Sequence, residues 1–120
     1  MRVRDWMSPD PVTTTPAVTA ADAGHVMQTY GIRHLPVILN GRVVGMLSDR
    51  DVRSAHPGAT VGRVMSSPAH VVAPDDSVEA AARLLLSRRI SSLPVVDVDG
   101  QIVGMITTTD CLLASLSATA

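Results

Sequence analysis

Two hydrophobic periods follow one another along the first half of the chain. A short apolar step leads to Thr19, an N-cap residue, after which apolar positions recur at helical spacing from about residue 20 to residue 30 and stop at Gly31. Two apolar runs of strand character come next, joined by Asn40-Gly41, a dipeptide that favours a tight hairpin turn. A final helix is predicted to begin after Ser48. The pattern therefore predicts a β-α-β-β-α unit.

The second half of the chain repeats this order. A shift of about 58 residues aligns Leu35-Pro36-Val37 with Leu93-Pro94-Val95. After one inserted residue, Asp99-Gly100 is predicted to form the same tight turn, and the last helix is predicted to begin after Thr107. We therefore expect two copies of one unit, at residues 1–56 and 57–120, each preceded by a short lead-in segment, which in the second copy is residues 61–65.

The predicted fold class is α/β, with two repeated units. A three-stranded sheet with helices on one face is too small to be stable alone. The linker around His56-Pro57-Gly58 is short, so the copies are expected to pack sheet to sheet about a pseudo-twofold axis.

The same motif, Gly-x-apolar-Ser/Thr-x-x-Asp, closes each hairpin, at residues 45–51 and 104–110. Its hydroxyl residue, Ser48 or Thr107, is predicted to cap the next helix beside free backbone N–H groups, which favour an anion. Its carboxylate, Asp51 or Asp110, can accept hydrogen bonds from the vicinal hydroxyls of a ribose. A plain capping box gives the same pattern. The two roles are compatible, and the repetition of the motif favours a functional one.

Composition and charge narrow the function. A net charge of -1 with interspersed signs, and 2% aromatic residues, make nucleic-acid binding unexpected. One cysteine, Cys111, and four scattered histidines make a disulfide or a metal cluster unexpected. No apolar run is long enough for a membrane span and the start lacks a secretory pattern, so a cytoplasmic protein is predicted. No nucleophile-base set or phosphate-binding glycine loop is present, so no enzyme activity is predicted.

Taken together, the motifs resemble those of a tandem pair of cystathionine-beta-synthase (CBS) domains, also called a Bateman module, over residues 3–116. The resemblance is carried by Met7-Ser8-Pro9 with Met65-Ser66-Ser67, by residues 32–37 with 90–97, and by the two hairpin-end motifs. It implies two clefts between the copies that bind AMP, ADP, ATP or S-adenosylmethionine as a regulatory ligand, with no cofactor required.

The resemblance also implies roles for particular residues. Ser48 with Asp51, and Thr107 with Asp110, would lie at phosphate and ribose in the two clefts. Contacts to the nucleoside and its adenine would come from Leu47, Ile106, Ile32, Ile90, Met7, Pro9 and Met65. Arg33 and His34 stand where nucleotide-binding members often carry cations that bind phosphate, and Arg50 is a similar candidate. The second copy has Ser91 and Ser92 in place of Arg33 and His34, so the two clefts should differ.

The function implied by the resemblance is a non-enzymatic sensor. The resemblance implies that the chain assembles as a homodimer. Ligand binding would shift the relative orientation of the copies, and an effector protein would receive the signal. The alternative is a structural dimerisation module with empty clefts, in which both motifs serve only as helix caps.

Overall fold

The computed structural model describes residues 1–118. Their elements are a 3-10 helix at Val3–Asp5, then β1 Ser8–Pro9, α1 Ala20–Tyr30, β2 His34–Leu39, β3 Arg42–Ser48, α2 Asp49–Ser54, α3 Val61–Val64, α4 Val78–Arg88, β4 Ser92–Val96, β5 Ile102–Thr107 and α5 Thr108–Ala118. They form two compact units. We call Val12–Ala69 the central unit, and Met1–Pro11 together with the chain from His70 onward the terminal unit. The predicted mixed α/β fold with two repeated units is confirmed.

In the central unit, local signals fix the ends of the elements. The Thr19 side chain accepts a hydrogen bond from the backbone of Asp22 and starts α1, and Gly31 ends it in the left-handed conformation with φ 64°. β2 and β3 pair in antiparallel fashion through a turn in which Asn40 and Gly41 both have positive φ, at 52° and 78°. These values are typical of the tight turn that Asn-Gly predicts.

The core of the central unit lies on one face of this hairpin. Leu35, Val37 and Leu47 are fully buried, and Met27 of α1 and Val61 of α3 close over them. Aliphatic side chains alone build this core, as the absence of phenylalanine requires.

The terminal unit repeats the plan with a sheet in the order β1-β5-β4. Ser77 caps α4, and Arg89 ends it in the same left-handed conformation that Gly31 adopts, with φ 55°. The core again consists of aliphatic residues: Val3, Leu85, Leu93, Val95 and Ile106 are among its buried members.

Each unit is completed by the lead-in segment of the other sequence copy. In the terminal unit the backbone N–H of Val3 donates to the carbonyl of Asp76 at 2.9 Å, and that of Val78 donates to Met1 at 3.0 Å. In the central unit the N–H of Val61 donates to Val18 at 2.7 Å. The compact units therefore combine segments differently from the repeat boundaries 1–56 and 57–120, which stay a prediction about the sequence copies.

The first strand predicted in each copy is reduced to a single parallel β-bridge, Thr14 with Val37 and Val72 with Val95. Proline follows two residues after each bridge, at Pro16 and Pro74, and lacks the N–H group needed to extend the ladder. The central unit consequently has a two-stranded sheet instead of the three strands expected.

The second hairpin turn also differs from the prediction. β4 ends at Val96, and the loop to β5 is built around Asp97, whose carboxylate accepts the N–H groups of Asp99 and Gln101, both at 2.9 Å. Asp99 does not adopt the positive φ that Asn40 has. The inserted residue lengthens the loop, so Asp99-Gly100 does not form the same two-residue turn.

Candidate functional site

The two hairpin-end motifs lie at the junctions where a strand leads directly into a helix. In the central unit β3 ends at Ser48, whose hydroxyl oxygen accepts the N–H of Asp51 at 3.1 Å. In return, Oδ2 of Asp51 accepts the N–H of Ser48 at 2.8 Å. This reciprocal capping box holds both side chains in place.

The junction in the terminal unit adds one hydrogen bond to this pattern. Oδ2 of Asp110 accepts both the backbone N–H of Thr107, at 2.8 Å, and its hydroxyl, at 3.0 Å. The hydroxyl oxygen accepts the N–H of Asp110 at 3.2 Å. The Thr107 proton is therefore already donated, whereas the Ser48 hydroxyl donates to no described residue.

Each capping carboxylate keeps acceptor capacity. All the hydrogen bonds to Asp51 and Asp110 from described residues end on Oδ2, and Oδ1 receives none from the same part of the chain. An ionised carboxylate offers about four acceptor positions, so Oδ1 can still accept two hydrogen bonds. Both residues are half-buried, so each keeps part of its surface exposed. The geometry makes capping and ribose binding compatible.

Two of the first three backbone N–H groups at each helix start are already bound. The N–H of Asp49 donates to the carbonyl of Arg33 at 2.8 Å, and that of Thr108 donates to Ser91 at 3.0 Å. The N–H groups of Asp51 and Asp110 are bound to the capping hydroxyls. The segment before the hairpin folds over the helix start, and only the N–H groups of Arg50 and Thr109 are left without an acceptor among the described residues.

The hairpin register brings the predicted cations of the central unit to this junction. His34 lies directly opposite Ser48, Arg33 precedes it, and Arg50 follows in α2. Arg33 and Arg50 are exposed and His34 is half-buried. Burial lowers the pKa of His34; the Asp51 charge opposes this, Arg33 adds to it, and Asp49 opposes it, with a lowered pKa as the net result.

The apolar candidates differ in how deeply they are buried. Leu47 and Ile106 are fully buried in the cores, Ile32 is half-buried, and Ile90 is exposed. Their contact with a nucleoside stays a prediction.

The lead-in residues lie beside the hairpin that carries the motif. A Cβ built on Gly104 would stand 2.6 Å from Sδ of Met7, and one on Gly45 would stand 2.5 Å from Sδ of Met65. Pro9, in β1, pairs with Gly104. The structure therefore brings Met7 and Pro9 to the strand of Thr107, and Met65 to the strand of Ser48.

Three residues near the terminal junction were missed as site candidates. Arg88 and Arg89 are exposed at the end of α4, immediately before Ile90. The sequence signal that could have identified them is a pair of adjacent arginines at the positions where the first copy has Tyr30-Gly31. The third is Ser92, which opens β4 and is buried.

Other chemistry finds little support in the described residues. Residues 1–118 contain no group of three or more metal-ligating side chains, and no helix within that range is long and apolar enough to cross a membrane. Burial, and then the charge of Asp110, raise the pKa of the Cys111 thiol. A raised pKa keeps the thiol protonated and poorly nucleophilic at neutral pH.

Comparison with known proteins supports the resemblance seen in the sequence. The family model of the CBS domain matches the chain twice, at residues 3–58 and 61–117. Among curated relatives, inosine-5'-monophosphate dehydrogenase of Korarchaeum cryptofilum is 29% identical over 110 residues, which are 91% of this chain and 23% of that protein. The chain thus spans about a quarter of the length of that relative.

Two solved structures match nearly the full length of the chain. The crystal structure of CBSX2 of Arabidopsis thaliana in complex with AMP has a TM-score of 0.88 at 30% identity, covering 99% of this chain and 98% of that one. The CBS domain pair of protein MJ0100, in complex with 5'-methylthioadenosine and S-adenosylmethionine, has a TM-score of 0.88 at 26% identity, covering 98% and 99%.

Proposed function

Since this chain belongs to the family of CBS domain proteins, we propose that it is a non-catalytic regulatory module that binds adenosine-containing ligands at its two strand-to-helix junctions. One observation carries the proposal: in both units, a capping carboxylate is held by hydrogen bonds to Oδ2, while its Oδ1 accepts none from residues 1–118. The adenosine ligands bound by CBSX2 and MJ0100 support it.

Asp51 and Asp110 bind ribose in this proposal. A carboxylate that accepts two neighbouring hydroxyl groups forms charge-assisted hydrogen bonds, roughly twice as strong as neutral ones. The capping bonds to Oδ2 fix the side chain before the ligand arrives, which lowers the entropy lost on binding.

The two sites differ in their capacity to bind phosphate. Arg33, His34 and Arg50 lie next to or opposite the ends of the central junction and offer donors suited to a phosphate, and the Ser48 hydroxyl, which donates to none of residues 1–118, adds another. Between Ile90 and Ala118 the chain has no lysine, arginine or histidine. The central site is therefore proposed to take phosphorylated ligands such as AMP, ADP or ATP.

Calorimetric titration of Asp51→Asn and Asp110→Asn with AMP, ATP and S-adenosylmethionine tests the proposal. Asparagine retains an oxygen for the capping bond and removes the charge, so folding and ribose binding are separated. Each variant should weaken one site by about 10-fold or more, because a hydrogen bond to a charged group contributes roughly 1.5–3 kcal/mol. Asp22→Asn, exposed in the first turn of α1, is the matched control. Unchanged affinity at both sites in both Asn variants would rule out the ribose assignment.

A structural module remains the second candidate, because the capping box of the central unit is complete without a ligand. Absence of heat and of thermal stabilisation with every adenosine ligand would favour it.

In either case we propose self-association, because α5 exposes the apolar side chains of Leu112, Leu113 and Leu116. Sedimentation velocity of Leu113→Asp should then show a smaller species than the wild type.

Signal output is the last part of the proposal. A ligand shifts a conformational equilibrium only if it binds the two states with different affinities, and a partner that prefers one state then receives the signal. The cytoplasmic location stays a prediction from the sequence.

A further inference from the structure

Ser92 combines deep burial with an unpaired hydroxyl. Its side chain is at the first position of β4 and only 4% of the residue is exposed. Among the described residues, Ser92 Oγ is the buried side-chain polar atom that has no hydrogen-bond partner. A buried hydroxyl gives up its bonds to water, so one left unpaired calls for an explanation.

The strand register places Ser92 beside the terminal motif. Ser92 pairs with Thr107, and the next pair along the strands is Leu93 with Ile106. Leu93 and Ile106 belong to the core, so the alternation of side chains puts Ser92 and Thr107 together on the opposite face of the sheet. The Thr107 hydroxyl is already bound to Asp110 both as donor and as acceptor. The face beside the motif thus carries an unpaired hydroxyl across from Thr107, the residue that is bonded to the carboxylate proposed to bind ribose.

The equivalent position in the central unit is chemically different. His34 lies opposite Ser48 just as Ser92 lies opposite Thr107, and Arg33 precedes it. Around Ser92 the hairpin and α5 carry no cation, and the nearest arginine before it, Arg89, ends α4 and is separated from Ser92 by Ile90 and Ser91, whereas Arg33 directly adjoins His34. A phosphate dianion buried against a neutral hydroxyl would lose its hydration without a compensating charge. An uncharged group that forms hydrogen bonds would not.

We propose that the Ser92 hydroxyl is a ligand-binding group and that it makes the terminal site selective for adenosine compounds with an uncharged 5' substituent. This inference rests on the proposed function, because it assigns a ligand class to one of its two sites. The unpaired state of Ser92 is then a property of the free protein, and the ligand supplies the missing partner.

The experiment uses the full chain carrying Asp51→Asn, which weakens the central site and leaves the terminal one intact. Calorimetric titration compares 5'-methylthioadenosine, which is uncharged, with AMP. The protein should bind methylthioadenosine more tightly than AMP. Adding Ser92→Ala should lower the methylthioadenosine affinity about 3- to 10-fold, the range for one lost neutral hydrogen bond. Ser115→Ala, exposed on α5, is the control and should change neither affinity.

Thermal unfolding without ligand separates a binding role from a structural one. Alanine removes an unpaired buried group, so the melting temperature of Ser92→Ala should be unchanged or raised while the affinity falls. A lower melting temperature with unchanged affinity overturns the inference, as does tighter binding of AMP than of methylthioadenosine. The comparison of AMP with methylthioadenosine needs no Ser92 variant, so it tests the inference even if Ser92→Ala folds poorly. If the wild type binds no adenosine compound at all, the proposed function itself fails.

Discussion

Replacing Arg89 by glycine is expected to stabilise the protein. Arg89 ends α4 with φ 55° and ψ 43°, and Gly31 ends α1 in nearly the same conformation, with φ 64° and ψ 36°. The two copies thus have the same helix end with different residues: Gly31, which adopts the left-handed conformation at little cost, and Arg89, which is strained in it.

The magnitude follows from the backbone alone. A side chain in the left-handed conformation costs about 1–2 kcal/mol. Part of this gain is offset, because a cation near a helix C-terminus contributes about 0.3–1 kcal/mol. Arg88 remains in the last turn and preserves much of that contribution. We expect Arg89→Gly to raise the free energy of unfolding by about 0.5–1 kcal/mol.

Urea unfolding followed by circular dichroism measures this difference at constant m-value. Arg89→Ala is the control, since it removes the charge and keeps the strained Cβ. Gly31→Ala is the converse: a Cβ there has no atom within 4 Å, so its expected loss of about 1 kcal/mol comes from φ and not from a clash. If Arg89→Gly is no more stable than Arg89→Ala, or if Gly31→Ala is as stable as the wild type, the strain reasoning is refuted.

Three further predictions follow from the packing and the charges. Gly104→Ala should lower the free energy of unfolding by about 1–3 kcal/mol, because its Cβ would stand 2.9 Å from the Ser8 carbonyl oxygen. Gly58→Ala is the control and should leave stability unchanged, because the nearest atom to its Cβ is 3.4 Å away. Equal melting temperatures of the two variants would contradict this prediction. Val3→Ala should lower the free energy of unfolding, measured with urea, by about 2 kcal/mol, because Val3 is fully buried in the core of the terminal unit. A loss below about 0.5 kcal/mol would mean that the lead-in segment is not held in that core. The pKa of His34 in the folded protein lies below its ordinary 6.5, so the unfolded chain takes up the proton first as the pH falls. The free energy of unfolding should therefore decrease as the pH drops through 6.5. In urea titrations at a series of pH values, His34→Gln should make the free energy of unfolding depend less steeply on pH, and an unchanged pH dependence would contradict the assignment.

The sequence predicted the features that depend on neighbouring residues. Asn40-Gly41 and the caps Thr19 and Ser48 each act through contacts a few residues away, and the structure has them where the pattern placed them. The twofold occurrence of the motif also led directly to the two junctions.

The features that were missed depend on pairings between distant segments. The two lead-in segments have similar sequences, so nothing in the pattern distinguishes which copy each one completes. The carbonyl groups of Arg33 and Ser91 occupy the helix N–H groups through backbone geometry, which leaves no trace in side-chain identity. From the sequence, Ser92 was noted only as a neutral residue in the place of His34, because burial without a partner cannot be read from side-chain identity.

The exchange of lead-in segments has a consequence for how the chain folds. The central unit is one continuous stretch, and the terminal unit is assembled from pieces on either side of it. Joining those pieces closes a loop that contains the whole central unit, and long loops are entropically slower to close than local contacts. We therefore expect the central unit to fold first and to shorten that loop. During synthesis, Met1–Pro11 is made before the segments it pairs with, and it has to wait for them until the central unit has been made.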